Sequence, residues 1–287
     1  MGRLVYLDGQ LVPKEQARIS VFDHGLLYGD GVFEGIRIYG GKVFRLDKHL
    51  WRLYESARLI HLAIPLSTEA MNRAVLDAVA ANGDLRNGYI RLIVTRGVGT
   101  LGLNPRLCKE QQVIVIVDTI AIYSDEMYER GLEVIIAQTI RNQPGALDPR
   151  VKSLNYLNNI MAKVECLEAG AAEAIMLNHE GCVAEATGDN VFIVRGGTVL
   201  TPPLSAGCLP GITREEVFDI CRALDRKFQE ADLRPADLYG ADECFLTGTA
   251  AEVIAVARID GRPVGSGHQG PVTQAIREEF HRRIREG

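Results

Sequence analysis

Apolar and polar positions in the first part of the chain alternate with a period of two and then recur with a helical period. Apolar residues recur at three- and four-residue steps over about 46–60, which predicts a first helix. Ser67 is placed to cap a second helix, which ends at Gly83. Six segments predict strands, and tight turns at Asp8-Gly9 and Gly40-Gly41 join four of them into hairpins. These segments are 4–7, 10–12, 32–39, 42–44, 89–95 and 112–118. The pattern indicates an α+β domain with antiparallel pairing.

The pattern breaks over residues 119–128, which we interpret as an interdomain linker. It therefore separates a first domain, 1–118, from a second, 129–287. The second domain again mixes strands and helices. We expect strands at 132–137, 173–177, 182–187, 191–194, 198–200, 244–247 and 253–259, and helices at 154–168, from about Thr213, and at the C-terminus.

Composition and charge exclude several classes of function. Of the 287 residues 47% are apolar and 24% are charged, which is ordinary for a globular protein with a large core. The net charge is -5 and the basic residues are scattered, so we expect no nucleic-acid partner. No apolar run reaches transmembrane length and residues 1–6 lack the apolar core of a signal peptide, so we expect a cytoplasmic protein without a membrane partner. The six cysteines form no CxxC pair, and we expect no metal site.

An amine, a phenol and a carboxylate occur in order along the second half of the chain. Lys152 precedes the predicted helix 154–168, and Tyr156 shares its face if the helix has begun at Lys152. Glu185 closes a predicted strand, although spacing alone does not separate it from Asp189. These groups match the needs of pyridoxal 5′-phosphate, which takes an amine at its aldehyde, an acid at its ring nitrogen and a donor at its ring oxygen.

Two loops of small residues are suited to a phosphate group. Thr213 and Glu216 form a capping-box pattern, and Gly211 and Ile212 before it would leave backbone N–H groups at a helix N-terminus. Thr249 lies in a second loop, rich in Gly and Ala, where backbone can approach a ligand closely. The sequence therefore predicts an anion cradle built from two separate segments.

A glycine motif at residues 97–102 matches GxGxxG but leads into Leu103-Asn104-Pro105 and another predicted strand. A dinucleotide fold needs a helix N-terminus there to hold the pyrophosphate. We therefore interpret this segment as a glycine-rich hairpin or binding loop.

Taken in order, these segments resemble the fold-type IV pyridoxal-phosphate enzymes, and within them the branched-chain amino acid aminotransferases. The resemblance covers nearly the whole chain and rests on the segments YGDGVFEGIR (28–37), HLWRLYESA (49–57), YIR (89–91), KSLNY (152–156), Glu185, LPGITR (209–214) and GTAAE (248–252). It implies an α+β, two-domain fold with a small N-terminal α/β sandwich domain and a larger C-terminal mixed β-barrel-like domain with helices.

The resemblance also implies roles for individual residues. Lys152 would be the catalytic Schiff-base lysine, Glu185 the partner of the ring nitrogen and Tyr156 the partner of the ring hydroxyl oxygen, with Leu209 packed on the ring. The phosphate would be bound by Arg52, Ile212, Thr213 and Thr249. The substrate carboxylate would be received by Tyr89 with the backbone N–H groups of Thr249 and Ala250. The pocket for the substrate side chain would be lined by Tyr28, Phe33, Gly35 and Arg91.

The activity implied is reversible amino transfer between leucine, isoleucine or valine and 2-oxoglutarate by a ping-pong cycle, with amino acids and 2-oxo acids as partners. The resemblance further implies a homodimer, or a higher homo-oligomer of dimers, in which the loop near residues 98–103 reaches the neighbouring active site. Three alternatives stay open: a D-amino acid transaminase, an aminodeoxychorismate lyase and a non-catalytic pyridoxal-phosphate-binding protein. D-amino acid enzymes carry Arg-x-His where this chain has Tyr89-Ile90-Arg91, which favours the branched-chain assignment.

Overall fold

The computed structural model describes residues 2–120 and 123–286, which divide into two compact units. Among these residues the first unit comprises 2–120 and 151–155, and the second comprises 123–150 and 156–286. The segment 151–155, which the sequence pattern placed in the second domain, therefore belongs to the first unit. Residues 121 and 122 of the expected linker lie outside the described residues, and its last residues begin a helix rather than continuing as a loop. The linker at 119–128 stays a prediction.

The first unit contains a six-stranded antiparallel sheet, as the alternating pattern predicted. Its spatial order is β2-β1-β6-β5-β3-β4. In chain order the strands are β1 (Leu4–Leu7), β2 (Gln10–Pro13), β3 (Gly31–Tyr39), β4 (Lys42–Val43), β5 (Gly88–Thr95) and β6 (Val113–Asp118). β3 pairs with β5 along its length, so that residues of both strands project side by side from each face.

Three helices accompany this sheet: α1 (His24–Tyr28), α2 (Leu46–Leu59) and α3 (Thr68–Ala81). Apolar side chains of α2 and α3, such as Leu53 and Met71, share one buried core with Ile36 and Ile90 of the sheet. The Ser67 hydroxyl caps α3 by accepting the Ala70 N–H, as predicted. Helix α1 was not predicted, because five residues are too few to show a helical period.

The second unit contains a nine-stranded mixed sheet. Its order is β12-β11-β10-β13-β14-β7-β8-β9, with β15 paired to β14. The strands are β7 (Leu132–Ile136), β8 (Glu173–Leu177), β9 (Val183–Ala186), β10 (Asn190–Arg195), β11 (Thr198–Thr201), β12 (Phe228–Glu230), β13 (Glu243–Gly248), β14 (Glu252–Ile259) and β15 (Arg262–Pro263). β7 pairs in parallel with β8 and β14, and β11 with β12, whereas the other pairs are antiparallel.

The helices of the second unit are α4 (Asp125–Arg130), α5 (Leu157–Glu168), α6 (Ile212–Ala223), α7 (Pro235–Tyr239) and α8 (Pro271–Glu286). The short elements α4, α7, β12 and β15 were not predicted. None of the described helices is long and apolar enough to cross a membrane. The two-unit α+β architecture confirms the predicted fold class.

One predicted helix start and one predicted helix cap were wrong. Helix α5 begins at Leu157 with Tyr156 as its N-cap, three residues later than expected, so the shared helical face proposed for Lys152 and Tyr156 does not exist. Helix α6 begins at Ile212 with Gly211 as its N-cap and no side-chain cap, so Thr213 is a helical residue and not the cap of a capping box. In the first case the preceding residues hydrogen bond to β3 instead of entering the helix.

Candidate active site

Lys152 lies in an extended segment of the first unit that is fixed to β3 and α2. The Phe33 N–H donates to the Lys152 carbonyl at 3.0 Å, and the Leu154 N–H donates to the Gly31 carbonyl at 2.9 Å. The Lys152 N–H in turn donates to the Ser56 hydroxyl at 3.2 Å. The Lys152 ammonium nitrogen lies 4.6 Å from the centroid of the Phe33 ring. Hydrogen bonds to β3 and to α2 therefore fix the backbone of this lysine, and its amine lies against an aromatic face.

Four expected substrate-pocket residues lie on the paired strands β3 and β5. The Arg91 guanidinium lies 4.6 Å from the centroid of Phe33 and 5.4 Å from that of Tyr89. A β-carbon at Gly35 would lie 1.9 Å from the Tyr89 hydroxyl oxygen, so only glycine leaves room for that ring. None of the described carboxylates pairs with Arg91, so the aromatic faces hold a cation suited to an external carboxylate.

Tyr28 ends α1 and is tied to the glycine-rich loop of its own chain. Its hydroxyl donates to the Leu101 carbonyl, and the His24 Nε2 lies 2.8 Å from the Thr100 carbonyl oxygen. A short 3-10 turn, and no α-helix, follows the 97–102 motif. That geometry supports a binding loop over a dinucleotide site.

Arg52 lies on α2, with its guanidinium against the carboxylate of Glu34. Arg52 was predicted from the sequence, whereas Glu34 was missed. A carboxylate in the buried part of strand β3 was the available signal, because such a group needs a charged partner.

Glu185 lies on β9 of the second unit, where two donors hold its carboxylate. Arg141 Nε donates to Oε1 and the Leu209 N–H donates to Oε2, each at 2.8 Å. Arg141 also lies 3.2 Å from the Asn158 side-chain oxygen. Both charged side chains are less than a tenth exposed. Arg141 had not been predicted, since nothing local in its loop marks it as a partner of a carboxylate 44 residues away.

Asp189, the alternative to Glu185, has a different environment. The Tyr123 hydroxyl lies 3.4 Å from Asp189 Oδ2 and 3.4 Å from Glu173 Oε2. Burial, and then the nearby negative charge of Glu173, raise the pKa of Asp189 to about 7. Lys163 donates to Glu173 at 3.1 Å and to the Ala172 carbonyl at 2.6 Å, so its amine is committed to this cluster. A carboxylate that is half protonated near neutral pH is poorly suited to keep a ring nitrogen charged.

Cys208, beside Leu209, is a buried thiol. Burial, and then the charge of Glu185, raise its pKa to about 12. Its sulfur lies 3.5 Å from the Pro203 carbonyl oxygen. The thiol therefore stays neutral, and it is not an activated nucleophile.

The N-terminus of α6 presents backbone N–H groups beside a glycine turn. Its first N–H groups, including those of Ile212 and Thr213, have no intrahelical acceptor. The Asn190 side chain donates to the Leu209 carbonyl at 3.0 Å, and its oxygen lies 2.0 Å from where a β-carbon at Gly211 would stand. Only glycine fits at position 211, because a β-carbon would overlap with the Asn190 side-chain oxygen.

A second glycine turn lies at the end of β13. A β-carbon at Gly248 would lie 1.9 Å from the Asp189 carboxylate, so backbone alone fits at that position. Thr249 and Ala250 follow in the turn to β14 and are half-buried. Thr247, paired with Asn190 across the strands, has a buried hydroxyl with no hydrogen-bond partner among the described residues. Helix amides, threonine hydroxyls and an unsatisfied buried hydroxyl are donors that fit a phosphate monoester.

Comparison with known proteins gives the family. A family model described as amino-transferase class IV matches residues 31–259. A branched-chain-amino-acid aminotransferase of Pseudomonas aeruginosa is 37% identical over 282 residues, covering 96% of this chain and 91% of its own. A protein of Methanocaldococcus jannaschii that carries the same name provisionally is 46% identical over 277 residues, covering 96% of this chain and 94% of its own.

Solved structures agree with the sequence relatives. A branched-chain aminotransferase from the thermophilic archaeon Thermoproteus uzoniensis, crystallised with norvaline, is 39% identical, with a TM-score of 0.93 over 99% of this chain and 95% of that one. Another branched-chain amino acid aminotransferase, crystallised with pyridoxamine 5′-phosphate, is 37% identical, with a TM-score of 0.94 over 99% of this chain. The family match covers well over half of the residues, and the fold agrees along almost the whole chain. The chain is therefore an enzyme that belongs to the class IV aminotransferase family.

Proposed function

We propose that this enzyme transfers amino groups reversibly between branched-chain L-amino acids and 2-oxoglutarate, with pyridoxal 5′-phosphate as its cofactor. The names of its relatives supply the substrate class, and the side chains of this chain support it. The proposal includes two half-reactions that share one site, and hence ping-pong kinetics.

One observation carries the proposal: Lys152 Nζ and the Arg91 guanidinium each lie 4.6 Å from the centre of the same Phe33 ring. The amine that would hold the cofactor and the cation that would bind a distal carboxylate thus lie against the same aromatic ring. Phe33 itself offers an apolar surface to a leucine side chain. Tyr89 completes this surface beside Gly35.

Pyridoxal phosphate supplies an aldehyde carbon for an amine and a pyridine ring that accepts electrons. In the first unit, Lys152 would bind that aldehyde carbon, leave it when the substrate amine arrives, and then move the proton from the substrate α-carbon. Because the Lys152 backbone is fixed, its amine would stay close to both carbon atoms. Arg52 would bind the phosphate, and Tyr89 the substrate carboxylate.

In the second unit, Glu185 would hold a proton on the ring nitrogen, because it keeps a negative charge there. Arg141 and the Leu209 N–H orient that carboxylate. Leu209 would pack on the ring and Tyr156 would donate to the ring oxygen. The N–H groups of Ile212 and Thr213 and the Thr249 hydroxyl would bind the phosphate, while the N–H groups of Thr249 and Ala250 would help bind the substrate carboxylate.

A homodimer fits the exposed apolar side chains of the first unit. Leu101 and Leu103 near the glycine-rich loop are 68% and 79% exposed, and Val21 before α1 and Leu26 within it are 68% and 60% exposed. These two segments are joined by the Tyr28 and His24 contacts, and several large apolar side chains exposed on neighbouring segments are characteristic of an interaction surface. Residues 98–103 would thus reach the neighbouring protomer's active site.

A panel of L- and D-amino acids, each mixed with 2-oxoglutarate and followed by glutamate formation, tests the substrate class. We expect activity with L-leucine, L-isoleucine and L-valine and none with D-alanine. Activity with D-alanine and none with L-leucine would assign the chain to the D-amino acid transaminases. Pyruvate release from aminodeoxychorismate would assign it to the lyases, and cofactor binding without any transfer would refute the enzymatic proposal.

A further inference from the structure

Glu34 is a buried carboxylate with three charge-assisted or polar contacts. Arg52 Nε donates to Glu34 Oε1 at 2.7 Å and Arg52 Nη2 donates to Oε2 at 2.8 Å. His49 Nδ1 lies 2.7 Å from Oε2. The side chains of Glu34, His49 and Arg52 are 0%, 1% and 5% exposed. The guanidinium is therefore held by two parallel hydrogen bonds, which fix its plane.

The strand and the helix place this cluster directly behind the expected pocket. Glu34 lies between Phe33 and Gly35 on β3, so its side chain leaves the opposite face of the strand. His49, Arg52 and Ser56 recur at three- and four-residue steps on α2 and share one face of that helix. The Ser56 hydroxyl accepts the Lys152 N–H. One polar stripe of α2 therefore contacts both Glu34 and the backbone of the lysine.

The charge states of the cluster follow from burial and contacts. Burial would raise the pKa of Glu34, but the Arg52 guanidinium, helped by His49, outweighs it and lowers that pKa to about 2. Burial lowers the pKa of His49; the negative charge and hydrogen bond of Glu34 oppose this shift, but burial, helped by the positive charges of Arg52 and Lys152, outweighs them. His49 is therefore neutral and donates Nδ1–H to an ionised Glu34. The cluster carries one positive and one negative charge, so its net charge is zero while the Arg52 guanidinium keeps oriented N–H donors.

A purely structural role explains this arrangement poorly. Two buried charges must be removed from water, and well-packed apolar residues of similar volume often stabilise a fold as much or more. A carboxylate that binds a guanidinium in a bidentate manner does provide orientation, which apolar residues cannot. Orientation matters where a guanidinium must meet a second anion.

We propose that Glu34, supported by His49, is a positioning residue that holds the Arg52 guanidinium in the orientation in which it binds the cofactor phosphate. This inference rests on the proposed function, because it assumes that pyridoxal phosphate is the ligand. The proposal assigns Glu34 no contact with the cofactor or the substrate. Its effect on the phosphate passes through Arg52.

Glu34→Gln tests orientation against charge, because the two predict opposite signs. The amide can still accept from Arg52 Nε and donate to His49 Nδ1, but it loses the bidentate pairing and the negative charge. If Glu34 orients Arg52, pyridoxal phosphate binds about tenfold more weakly to the apoenzyme and the 31P resonance of the borohydride-reduced holoenzyme shifts. If Glu34 only neutralised Arg52, removing its charge would tighten binding, and that result, or unchanged binding, would overturn the inference.

Glu55→Gln is the matched control. Glu55 pairs with Arg58 at 2.9 Å on the same helix, but both side chains are more than a third exposed. The control should leave cofactor affinity and the 31P spectrum unchanged. A loss equal to that of Glu34→Gln would mean that any change of charge on α2 has this effect, and would contradict the positioning role.

A double variant covers the case in which Glu34→Gln does not fold. In Arg52→Met the buried carboxylate keeps His49 as a hydrogen-bond partner but loses its charged partner, whereas Arg52→Met combined with Glu34→Gln removes both charges. The double variant should bind pyridoxal phosphate as weakly as Arg52→Met and no more weakly, since Glu34 acts through Arg52. A further tenfold loss would overturn the inference. Wild-type protein that takes up no pyridoxal phosphate would instead refute the proposed function.

Discussion

Arg91 provides the sharpest separation of the two proposed half-reactions. It lies at the centre of the paired strands β3 and β5, opposite Gly35, and its guanidinium lies against the rings of Phe33 and Tyr89. In one half-reaction the pocket must accept the apolar side chain of leucine. In the other it must accept the distal carboxylate of 2-oxoglutarate, which Arg91 can bind by a charge-assisted hydrogen bond.

Arg91→Leu removes that bond and both ring contacts. Loss of a charge-assisted hydrogen bond costs about 2 kcal/mol, which is roughly thirtyfold in rate. The two cation–π contacts contribute about 0.5–1 kcal/mol each to folding at a partly exposed site, so the variant should still fold. The leucine half-reaction should change little, because leucine carries no distal charge.

Stopped-flow absorbance of the bound cofactor measures each half-reaction separately. We expect Arg91→Leu to slow the reaction with 2-oxoglutarate about thirtyfold and the reaction with leucine by much less. Arg91→Lys keeps the charge but loses the planar stacking, and should lie between wild type and Arg91→Leu. Equal losses in both half-reactions would show that Arg91 only supports the fold, and would refute its role in substrate recognition.

Three further predictions concern other parts of the chain. Glu185→Gln should abolish most of the turnover and cost on the order of 3 kcal/mol of unfolding free energy, because Arg141 is left buried without its charged partner; full turnover in this variant would exclude Glu185 as the ring-nitrogen partner. Asp189→Asn should keep turnover and raise the unfolding free energy by more at pH 8 than at pH 5, because the cost of the ionised carboxylate grows from the unfolded pKa up to pH 7. The pKa of Asp189 is raised to about 7 in the folded protein, so stability present below the unfolded pKa is lost as pH rises through 7; urea unfolding at both pH values measures this, and an equal effect at both would contradict it. Leu103→Asp should shift the protein toward monomers with reduced activity in analytical ultracentrifugation and assay, whereas Leu11→Asp, at a 42% exposed site on β2, should not; a fully active wild-type monomer would refute the dimer proposal.

Local pattern predicted most of the elements that carry a clear period. Strand β8 was predicted at its observed bounds, because it is a short apolar run buried on both faces. Helix α2 was predicted within one residue of its end, because its one buried face fixes the spacing of its apolar residues. The start of α5 was wrong because its cause is non-local. Residues 152–154 hydrogen bond to a strand more than 110 positions earlier in the chain, and nothing in their own sequence indicates it.

The site residues divide in the same way. Lys152 and Glu185 could be named from motifs, since each motif keeps its residue types at fixed spacing. Arg141 and His49 could not, because their roles come from contacts with side chains on other elements. Glu34 is intermediate, because a carboxylate within a buried strand signals a partner without identifying it.

Borohydride reduction of the purified, cofactor-loaded enzyme, followed by peptide mass spectrometry, tests the central claim most directly. We predict a protein that is yellow before reduction and in which borohydride fixes the cofactor on Lys152, because the backbone of that lysine is held in place by β3 and α2. Lys163 is the internal control, since its amine is bound to Glu173 and the Ala172 carbonyl. A label on Lys163, or no label on protein that has taken up the cofactor, would contradict the account.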